Sequence, residues 1–396
     1  MARCAEIDGM REHTFRGTVV LSLLAAWVLS AAACRTDPDT PHEIRIGLLA
    51  LLHGVPEQTS GLPSVRASEL AAKIINDRGG IEIDGHLHRV VIIVKDYEDR
   101  ADSATSVARA LINQEHIDAL IGPQFSRHAI PVSVVADNAR VPMLSPMSSN
   151  PATTKGKSFV FRLAFLDDLQ GDVMGRFAAN ELGAVRAAVL YDKTTAYGRS
   201  LSAVFRKAFE EEGGQTVAFE SYALDEPLDY RVQLSRIDAT DPDVLYLPND
   251  TERVVAQILQ ARELGIDAIL LGGDTWDMEA FKLMPECDGA FIAHQWHYAI
   301  DSPEARSFVE LYRDRYGTVP KVTAAMTFDA VNLLLQAIEN RGSKDPDSIR
   351  AALAETGDYR GATGIIRFTG SPDPVRSVVI SRIHEGETRL FRVVDP

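Results

Sequence analysis

The chain has 396 residues, enough for two or three domains with full hydrophobic cores, and its apolar fraction of 45% is that of an ordinary globular protein. Its 56 acidic residues outnumber the 41 basic ones, and the resulting net charge of −15 repels phosphate. Because no Lys/Arg cluster interrupts this field, we expect no nucleic-acid partner.

The N-terminal segment has the pattern of a bacterial secretory signal. Arg11 and Arg16 precede the uncharged apolar run Gly17–Ala33, and three alanines lead directly to Cys34. Small residues before a cysteine resemble a lipobox, although Ala31 stands where such motifs usually carry Leu. We therefore predict cleavage before Cys34 and attachment of lipid to that cysteine.

A transmembrane anchor is the alternative, because the 17 uncharged residues of this run reach the lower limit for crossing a bilayer. The prediction that we keep is a signal peptide over residues 1–33 and a polar tether over 34–43. Either Met1 or Met10 is the translation start, since MREHTFR from Met10 already makes a compact basic region.

Cysteine usage indicates no disulfide within the mature chain. Cys4 falls before the predicted cleavage site, Cys34 is the predicted lipid site, and Cys287 is left without a partner. We interpret Cys287 as a buried thiol.

From residue 43 onward, short β-rich runs alternate with amphipathic helical windows. The predicted strands are Glu43–Ala50, Arg89–Lys95, Ala119–Ile121, Val141–Leu144, Ala187–Leu190, Val244–Leu247 and Ala268–Leu271, and then Gly364–Phe368, Ser377–Ile383 and Leu390–Val394. The predicted helices are Val65–Asp77, Ala104–Gln114, Arg127–Asp137, Gly171–Leu182, Leu201–Glu212, Arg253–Leu264, Ala305–Tyr316, Thr323–Asn340 and Pro346–Glu355. Strands that alternate with helices predict an α/β fold with parallel sheets. One run of them ends near Ser145 and another covers roughly 165–293, which favours two similar lobes over one large sheet.

The sequence carries no catalytic signature. Neither a phosphate-binding Gly-rich loop nor a nucleophile elbow follows any predicted strand, and no H-E-x-x-H occurs. His294 and His297 are three residues apart but have no carboxylate or cysteine beside them. Ser126 and His128 do not face each other on a helix, so they make no catalytic pair. We therefore predict neither an enzyme nor a metal or cofactor site.

Polar residues instead follow three predicted strands, at the edge where open α/β sheets bind ligands. They are Ser126 after Ala119–Ile121, the segment Ser145–Pro151 with its serines, and Asp274 after Ala268–Leu271. Hydroxyls and helix-start amides suit a carboxylate, and a carboxylate across a cleft suits an ammonium. The alternative for Ser126, Ser149 and Asp274 is helix capping.

Several motifs, in order, resemble the type I periplasmic binding proteins of the leucine/isoleucine/valine-binding family. They are IRIGLLALLHG, ELAAKIINDRGG, VKDYEDR, ALIGP, VPMLSPMSSNP, FVFRLAF, AVLYDKTTAYG, QARELGIDAILLGGDTW, TFDAV and TGIIRF, and together they run from about Ile44 to Phe391. The resemblance implies an extracytoplasmic receptor that delivers an amino acid, branched-chain or related, to the permease of an ABC importer. The alternatives are a sensory binding protein of the same fold and a binder of an amide or small carboxylate.

The resemblance also implies the ligand contacts. Ser126 and Ser149 would give hydroxyls to the ligand carboxylate, beside the backbone amides of Ser126, Met147 and Ser149. Asp274 would take the ammonium, and Tyr197 would close over the ligand. Asp250 stands where the family often has Tyr; it is either a second carboxylate near the ammonium or the N-cap of the next helix.

The architecture that the resemblance implies is two Rossmann-like lobes with a central ligand cleft, joined by three hinge crossings. Lobe one would hold residues 44–163 and 298–361, and lobe two residues 164–297 and 362–396. The crossings are expected near 162–164, 294–297 and 362–366. The implied location is the periplasm or cell surface, with the chain anchored to a membrane through Cys34.

Overall fold

The structure is a computed structural model that describes residues 42–54, 57–223, 225–276, 281 and 283–395. The predicted signal peptide, Cys34 and nearly all of the tether lie outside these residues.

The first sheet has six strands in the order β2-β3-β1-β4-β5-β6. These strands are β1 (Glu43–Ala50), β2 (Ile81–Ile83), β3 (His86–Asp96), β4 (Ala119–Ile121), β5 (Met143–Ser145) and β6 (Val160–Arg162). All neighbours are parallel except the β2–β3 pair. The last five residues of β1 are all buried, as expected for a central strand that helices cover on both faces.

The second sheet has seven strands in the order β16-β15-β11-β10-β9-β7-β8. These strands are β7 (Arg186–Asp192), β8 (Gln215–Tyr222), β9 (Val244–Leu247), β10 (Ile269–Gly272), β11 (Phe291–His294), β15 (Val378–His384) and β16 (Glu387–Val394). β7 to β11 are parallel, whereas β15 and β16 add an antiparallel edge. A small third sheet contains β12 (Tyr359–Gly361), β13 (Gly364–Arg367) and β14 (Val375–Arg376).

Helices cover both faces of the two large sheets. The helices of the described residues are α1 (Leu62–Asp77), α2 (Ala101–Asn113), α3 (Ser126–Asn138), α4 (Asp167–Asn180), α5 (Ala196–Glu211), α6 (Arg231–Asp238), α7 (Thr251–Glu263), α8 (Pro303–Tyr316), α9 (Val322–Arg341) and α10 (Pro346–Ala354). On the first sheet, α1, α9 and α10 share one apolar core, and α2 and α3 share the other. On the second sheet, α6 and α7 cover one face and α4 and α5 the other. The prediction of two α/β lobes is thus confirmed.

The chain passes between the two large sheets three times. It leaves the first sheet after β6, returns after β11 toward α8, and crosses again between α10 and β15. Arg376, which is 1% exposed, joins the three connections, because its guanidinium donates to the carbonyl oxygens of Leu163 at 2.9 Å, Gln295 at 2.9 Å and Thr363 at 3.3 Å. The buried carboxylate of Asp329 on α9 accepts three further hydrogen bonds from the third connection, two from backbone amides and one from a hydroxyl.

Some elements differ from the prediction. α4 begins at Asp167 rather than Gly171 and α5 at Ala196 rather than Leu201, because their polar first turns carry no apolar periodicity. Seven further strands and helices were not predicted at all, namely β2, β6, β8, β11, β12, β14 and α6. Most of them are four residues or shorter, and β8 is a half-buried edge strand without a continuous apolar run.

Within the described part of the chain, none of the helices has both the length and the apolar character needed to cross a membrane.

Candidate functional site

Ser126 and Ser148 follow neighbouring strands, β4 and β5, at the carboxyl edge of the first sheet. Ser126 is the first residue of α3, and the N-cap residue is Phe125, so this serine is not a helix cap. Its hydroxyl shares a 2.8 Å hydrogen bond with the hydroxyl of Ser148, which in turn shares a 2.7 Å bond with Thr153. These three hydroxyls, which we call the hydroxyl row, lie beside the first-turn amides of α3. Such an arrangement offers hydrogen-bond donors to an anion.

Ser149 and Met147 flank Ser148 but have different surroundings. The short 3₁₀ helix at Pro151–Thr153 is capped by Asn150, so Ser149 does not cap it either. The hydroxyl of Ser149 instead lies near Asp167, at the start of α4, and lowers the pKa of that carboxyl group. Met147 is half-buried and packs against the core of the first sheet. The segment therefore connects the hydroxyl row with an acidic group on the second sheet's side.

Asp274 follows β10 on the second sheet and contacts the predicted Tyr197. Oδ1 of Asp274 accepts from the Tyr197 hydroxyl at 3.0 Å, and Oδ2 accepts from Nε2 of Gln295 at 3.3 Å. Burial raises the pKa of Asp274, and these two hydrogen bonds oppose that rise. Both of these hydrogen-bond donors are neutral side chains, so neither of them neutralises a charge on this carboxyl group.

The close approach of Tyr197 to Asp274 depends on the neighbouring Gly273. A Cβ at position 273 would lie 2.4 Å from the Tyr197 hydroxyl oxygen and 3.3 Å from Nε2 of Gln170. A larger residue there would displace the tyrosine hydroxyl. Gly122, after β4, is under a similar constraint: its φ is +87°, and a Cβ would lie 2.7 Å from the carbonyl oxygen of Leu49.

Asp167 is a second carboxyl group at this place, and it was not predicted. It is 4% exposed, and burial together with the nearby Asp274 raises its pKa to about 6, while Ser149 and Arg162 oppose the rise. The carboxyl groups of Asp167 and Asp274, which come from different elements, therefore interact electrostatically.

Asp250 occupies the N-cap position of α7, as one of the two interpretations requires, but its side chain makes no capping hydrogen bond. Desolvation and the neighbouring Asp192 raise its pKa, and Arg253 and Arg127 lower it. Arg127 belongs to α3 of the first sheet, where it pairs with Asp99 at 2.6 Å. Asp250 is exposed, so solvent screens these interactions.

Arg162 at the end of β6 holds the backbone beneath the hydroxyl row. It is fully buried, and its Nη1 donates to the carbonyl oxygen of Ser148 at 3.0 Å. Nε donates to Asp373 at 2.5 Å, and Nη2 donates to the hydroxyl of Thr154 at 2.6 Å. All three nitrogens are therefore occupied by acceptors of the chain itself.

The structure thus places Ser126, Met147 and Ser149 together on the first sheet, and Tyr197 with Asp274 on the second. Sequence reasoning missed the groups beside them, namely Ser148, Arg162, Asp167, Gln170 and Gln295. The signals for two of them were present but ambiguous. Ser148 stands beside Ser149 in an SSN run, and Asp167 opens a helix in the same way as an ordinary first-turn acid.

Two other features of the described residues are separate from this site. A groove of about 810 Å³ between α1, β3 and α8 is lined by acids and bases together, including Glu69, Lys73, Arg89 and Arg315, and by none of the predicted site residues. His294 is buried with Nε2 bonded to the Ser381 hydroxyl at 2.7 Å, and desolvation lowers its pKa to about 3. No group of three or more potential metal ligands was found in the part of the chain that the structure describes.

Two α/β lobes joined by three connections, with hydroxyls and helix-start amides at the edge of one sheet and a carboxylate at the edge of the other, define a type I periplasmic binding protein. The chain belongs to the periplasmic binding protein family, whose model matches residues 43–386, and within it resembles the leucine/isoleucine/valine-binding group.

Similar proteins carry names from that group. The Leu/Ile/Val-binding protein homolog 1 of Brucella abortus is 26% identical over 92% of this chain and 94% of its own length. The crystal structure of a leucine-binding protein LivK from Thermotoga maritima is 29% identical with a TM-score of 0.75, over 89% of this chain and 99% of that one. The LivJ protein of Streptococcus pneumoniae, solved in complex with isoleucine, is 26% identical with a TM-score of 0.76, over 89% of this chain and all of that one.

Proposed function

We propose that this chain is the substrate-binding lipoprotein of an ABC importer and that it binds an amino acid, branched-chain or related, between its two lobes. The lobes would comprise residues 44–163 with 298–361, and residues 164–297 with 362–396. The observation that carries the proposal is the division of chemistry between the sheets. Ser126 and Ser148 present donors on the first sheet, and Asp274 presents an acceptor on the second.

This division suits a zwitterion. The ligand carboxylate would bind at the hydroxyl row, at the hydroxyl of Ser149 and at the backbone amides of Ser126, Met147 and Ser149. The ammonium would bind at Asp274 beneath Tyr197. Closure of the lobes by hinge motion would remove water, so both ends would form charge-assisted hydrogen bonds in a low dielectric. The names of the relatives, which include an isoleucine complex, support the same ligand class.

The rest of the proposal concerns location and partner. The chain would be exported, cleaved before Cys34 and lipidated there, and the ligand-closed form would be recognised by a membrane permease. A sensory binding protein would use the same site, and co-purification with a permease or with a receptor distinguishes the two.

A thermal-shift screen tests the ligand class. Amino acids, amides, polyamines and small carboxylates are each added at millimolar concentration to the purified mature chain, and a ligand stabilises the folded state by RT ln(1 + [L]/Kd). We expect amino acids to raise the melting temperature. A shift by carboxylates without an amine alone, unaffected by Asp274→Ala, would overturn the amino-acid assignment.

Variants at the second sheet refine the test. Asp274→Ala leaves the ligand ammonium without its partner, at a cost of about 3–5 kcal/mol or roughly 10²- to 10³·⁵-fold in Kd. Asp250→Ala should reduce the free energy of ligand binding far less than Asp274→Ala if Asp250 is only the N-cap residue of α7. It should reduce it by a similar amount if Asp250 faces the ligand. Asp267→Ala is the matched control, because Asp267 is an exposed acid between α7 and β10. This variant should bind the ligand as the parent does.

A further inference from the structure

The strand β3 has an outer edge that the first sheet covers only in part. On the inner side, β1 pairs with residues 89–96 of β3, whereas on the outer side β2 pairs only with residues 86–88. The side-chain amide of Asn76 then bonds both backbone groups of Val90, at 2.8 and 2.9 Å. Beyond Val90, no strand of the described residues lies on this side of β3. Residues 91–96, which we call the open edge, are therefore accessible to a further strand.

The direction of the backbone groups at the open edge follows from the bonds next to it. Val90 points its N–H and C=O outward, to Asn76, and the N–H of Arg89 points inward, to the carbonyl oxygen of His42 at 2.8 Å. Because these directions alternate along a strand, Ile92 and Val94 also point their backbone groups outward. Such a row of N–H and C=O groups is a template for pairing with another chain.

The features that usually keep an edge strand from pairing are weak here. Residues 91–96 are half-buried, contain neither Pro nor Gly, and pair with β1 without a bulge. Their two charged side chains are both bonded to the chain itself. Nζ of Lys95 lies 2.9 Å from Glu115, and Asp96 accepts from the backbone amide of Leu52 at 3.0 Å. The open edge is therefore an aliphatic stretch whose charges do not deter a second strand.

The groove of about 810 Å³ beside the open edge carries both signs of charge. Its acids and its bases are three each, namely Glu43, Glu69 and Asp77, and Lys73, Arg89 and Arg315. Glu69, Arg89 and Arg315 are exposed, and none of them forms an ion pair with another described residue. In a chain with a net charge of −15, this groove is thus neutral as a whole.

This charge pattern indicates which partner fits. A partner that is acidic or basic throughout would meet like charges in half of the groove. A second copy of this chain, related by a two-fold axis, brings the same acids and bases in the reverse direction, so every acid–base contact occurs twice. The balance of charges in the groove therefore favours a second copy.

We propose that the open edge pairs antiparallel with the open edge of a second copy, so that the two six-stranded sheets become one continuous sheet. The two-fold axis passes beside Ile93. Ile92 of each copy lies opposite Val94 of the other, and each of these pairs exchanges two N–H···O bonds. The groove contains none of the residues of the proposed ligand site, so this inference does not rest on the proposed function.

Sedimentation equilibrium measures the association directly, on the mature chain with Cys34→Ser so that no lipid is attached. We expect a monomer–dimer equilibrium that weakens as salt is added, because the groove charges are exposed. Ile92→Pro removes an outward N–H and places the proline ring at the edge, while the bonds to β1 are kept. This variant should be monomeric, and circular dichroism shows whether it is folded.

Charge variants test the groove without a change in the backbone. Arg89→Glu with Arg315→Glu makes the groove acidic, and Glu69→Arg with Asp77→Arg makes it basic. Each double variant alone should be monomeric, because like charges then face each other across the two-fold axis. An equimolar mixture of the two should restore the dimer, as a heterodimer.

A matched control separates the groove from the total charge. Arg206→Glu with Lys207→Glu makes the same change of charge as the acidic-groove variant, but on exposed residues of α5, on the second sheet. This double variant should associate as the parent does.

A cysteine at the two-fold axis tests the register of the two strands. Ile93 lies opposite its own counterpart in a non-hydrogen-bonded pair, where the Cα atoms are about 4.5 Å apart, close enough for a disulfide. Ile93→Cys, in the Cys34→Ser chain, should therefore oxidise to a linked dimer on a non-reducing gel. Lys95→Cys is the control, since it lies opposite residue 91 and not opposite itself. The native thiol of Cys287 is buried in both variants.

The possible results decide the proposal. A parent chain that stays monomeric at millimolar concentration overturns it and leaves the open edge to solvent or to a strand of another protein. A dimer that persists in folded Ile92→Pro, or that Ile93→Cys fails to link, joins the copies elsewhere and overturns it as well. If Ile92→Pro does not fold, the charge variants and the cysteine decide. Amino-acid binding, measured on the same samples, tests the proposed function separately.

Discussion

Arg376 gives the sharpest test of how the lobes are held together. Its guanidinium donates to one carbonyl oxygen in each connection between the sheets, those of Leu163, Gln295 and Thr363. Arg376→Met keeps most of the side-chain volume but removes these donors. We expect a large loss of stability because three buried acceptors lose their partners together.

The magnitude follows from the geometry. A buried acceptor without a donor costs about 1–3 kcal/mol, and two of the three bonds are 2.9 Å long. The third is 3.3 Å and contributes less. Removal of the cation also deprives the buried Asp329 of a favourable charge. Together these effects give a loss of about 3–5 kcal/mol, the usual cost of breaking a buried charged contact.

Urea unfolding measures this loss, followed by both circular dichroism and tryptophan fluorescence to establish whether the lobes unfold together. Arg389→Met is the matched control, because Arg389 is exposed on β16 and pairs only loosely with Glu385 at 3.4 Å. It should change the unfolding free energy by less than about 0.5 kcal/mol. A loss below about 1 kcal/mol for Arg376→Met would refute the claim that this guanidinium holds the three connections together.

Three further predictions concern the anchor, the pH dependence and the tyrosine. Cys34→Ser should give an unlipidated precursor that does not label with a fatty-acid probe; a variant that still labels and partitions into detergent contradicts the anchor. The folded-state pKa of Asp167 lies near 6, above its ordinary 3.8, so its contribution to stability is full below pH 3.8 and is lost as pH rises through 6. As the pH rises from acid to neutral, the free energy of unfolding of Asp167→Asn should therefore increase by about 3 kcal/mol relative to that of the parent, measured by urea unfolding. A difference between the two proteins that does not change with pH would show that the pKa is not raised. Gly273→Ala should displace the Tyr197 hydroxyl and weaken amino-acid binding about tenfold or more, whereas Gly357→Ala, which has open space around it, should bind as the parent does; equal affinities would remove Tyr197 from the site.

The strands and helices could be predicted from the sequence where an element has a clear run or period of apolar residues. β1 is buried along most of its length, so its apolar run was recognisable, and the same holds for β9, which was predicted with its observed bounds. The short strand β6 and the polar start of α4 were missed because three residues or one polar turn carry no period. These are also the places where the chain leaves the first sheet.

The candidate site was predictable only where a polar residue directly follows a predicted strand. Ser126 and Asp274 satisfy that rule, and Tyr197 came from the family resemblance. Asp167, Gln170 and Gln295 lie at a helix start or in a connection between the sheets, where polar residues are common and no local pattern marks a ligand. The buried Arg162 and Arg376 were missed for a similar reason, because arginine is seldom fully buried.

The position of Arg162 has a consequence for how this protein can be altered. One guanidinium joins the Ser148 carbonyl, beneath the hydroxyl row, to Asp373, which lies between β13 and β14 in the third connection. If the ligand carboxylate binds at the hydroxyl row as proposed, a displacement of the Ser148 backbone is transmitted through Arg162 to the third connection. Thermodynamic linkage makes the coupling reciprocal, so whatever biases the angle between the lobes changes the ligand affinity by the same factor as the ligand biases the angle. Under the proposed function, substitutions at the hydroxyl row that change the ligand affinity should therefore also change the fraction of molecules that are closed without ligand.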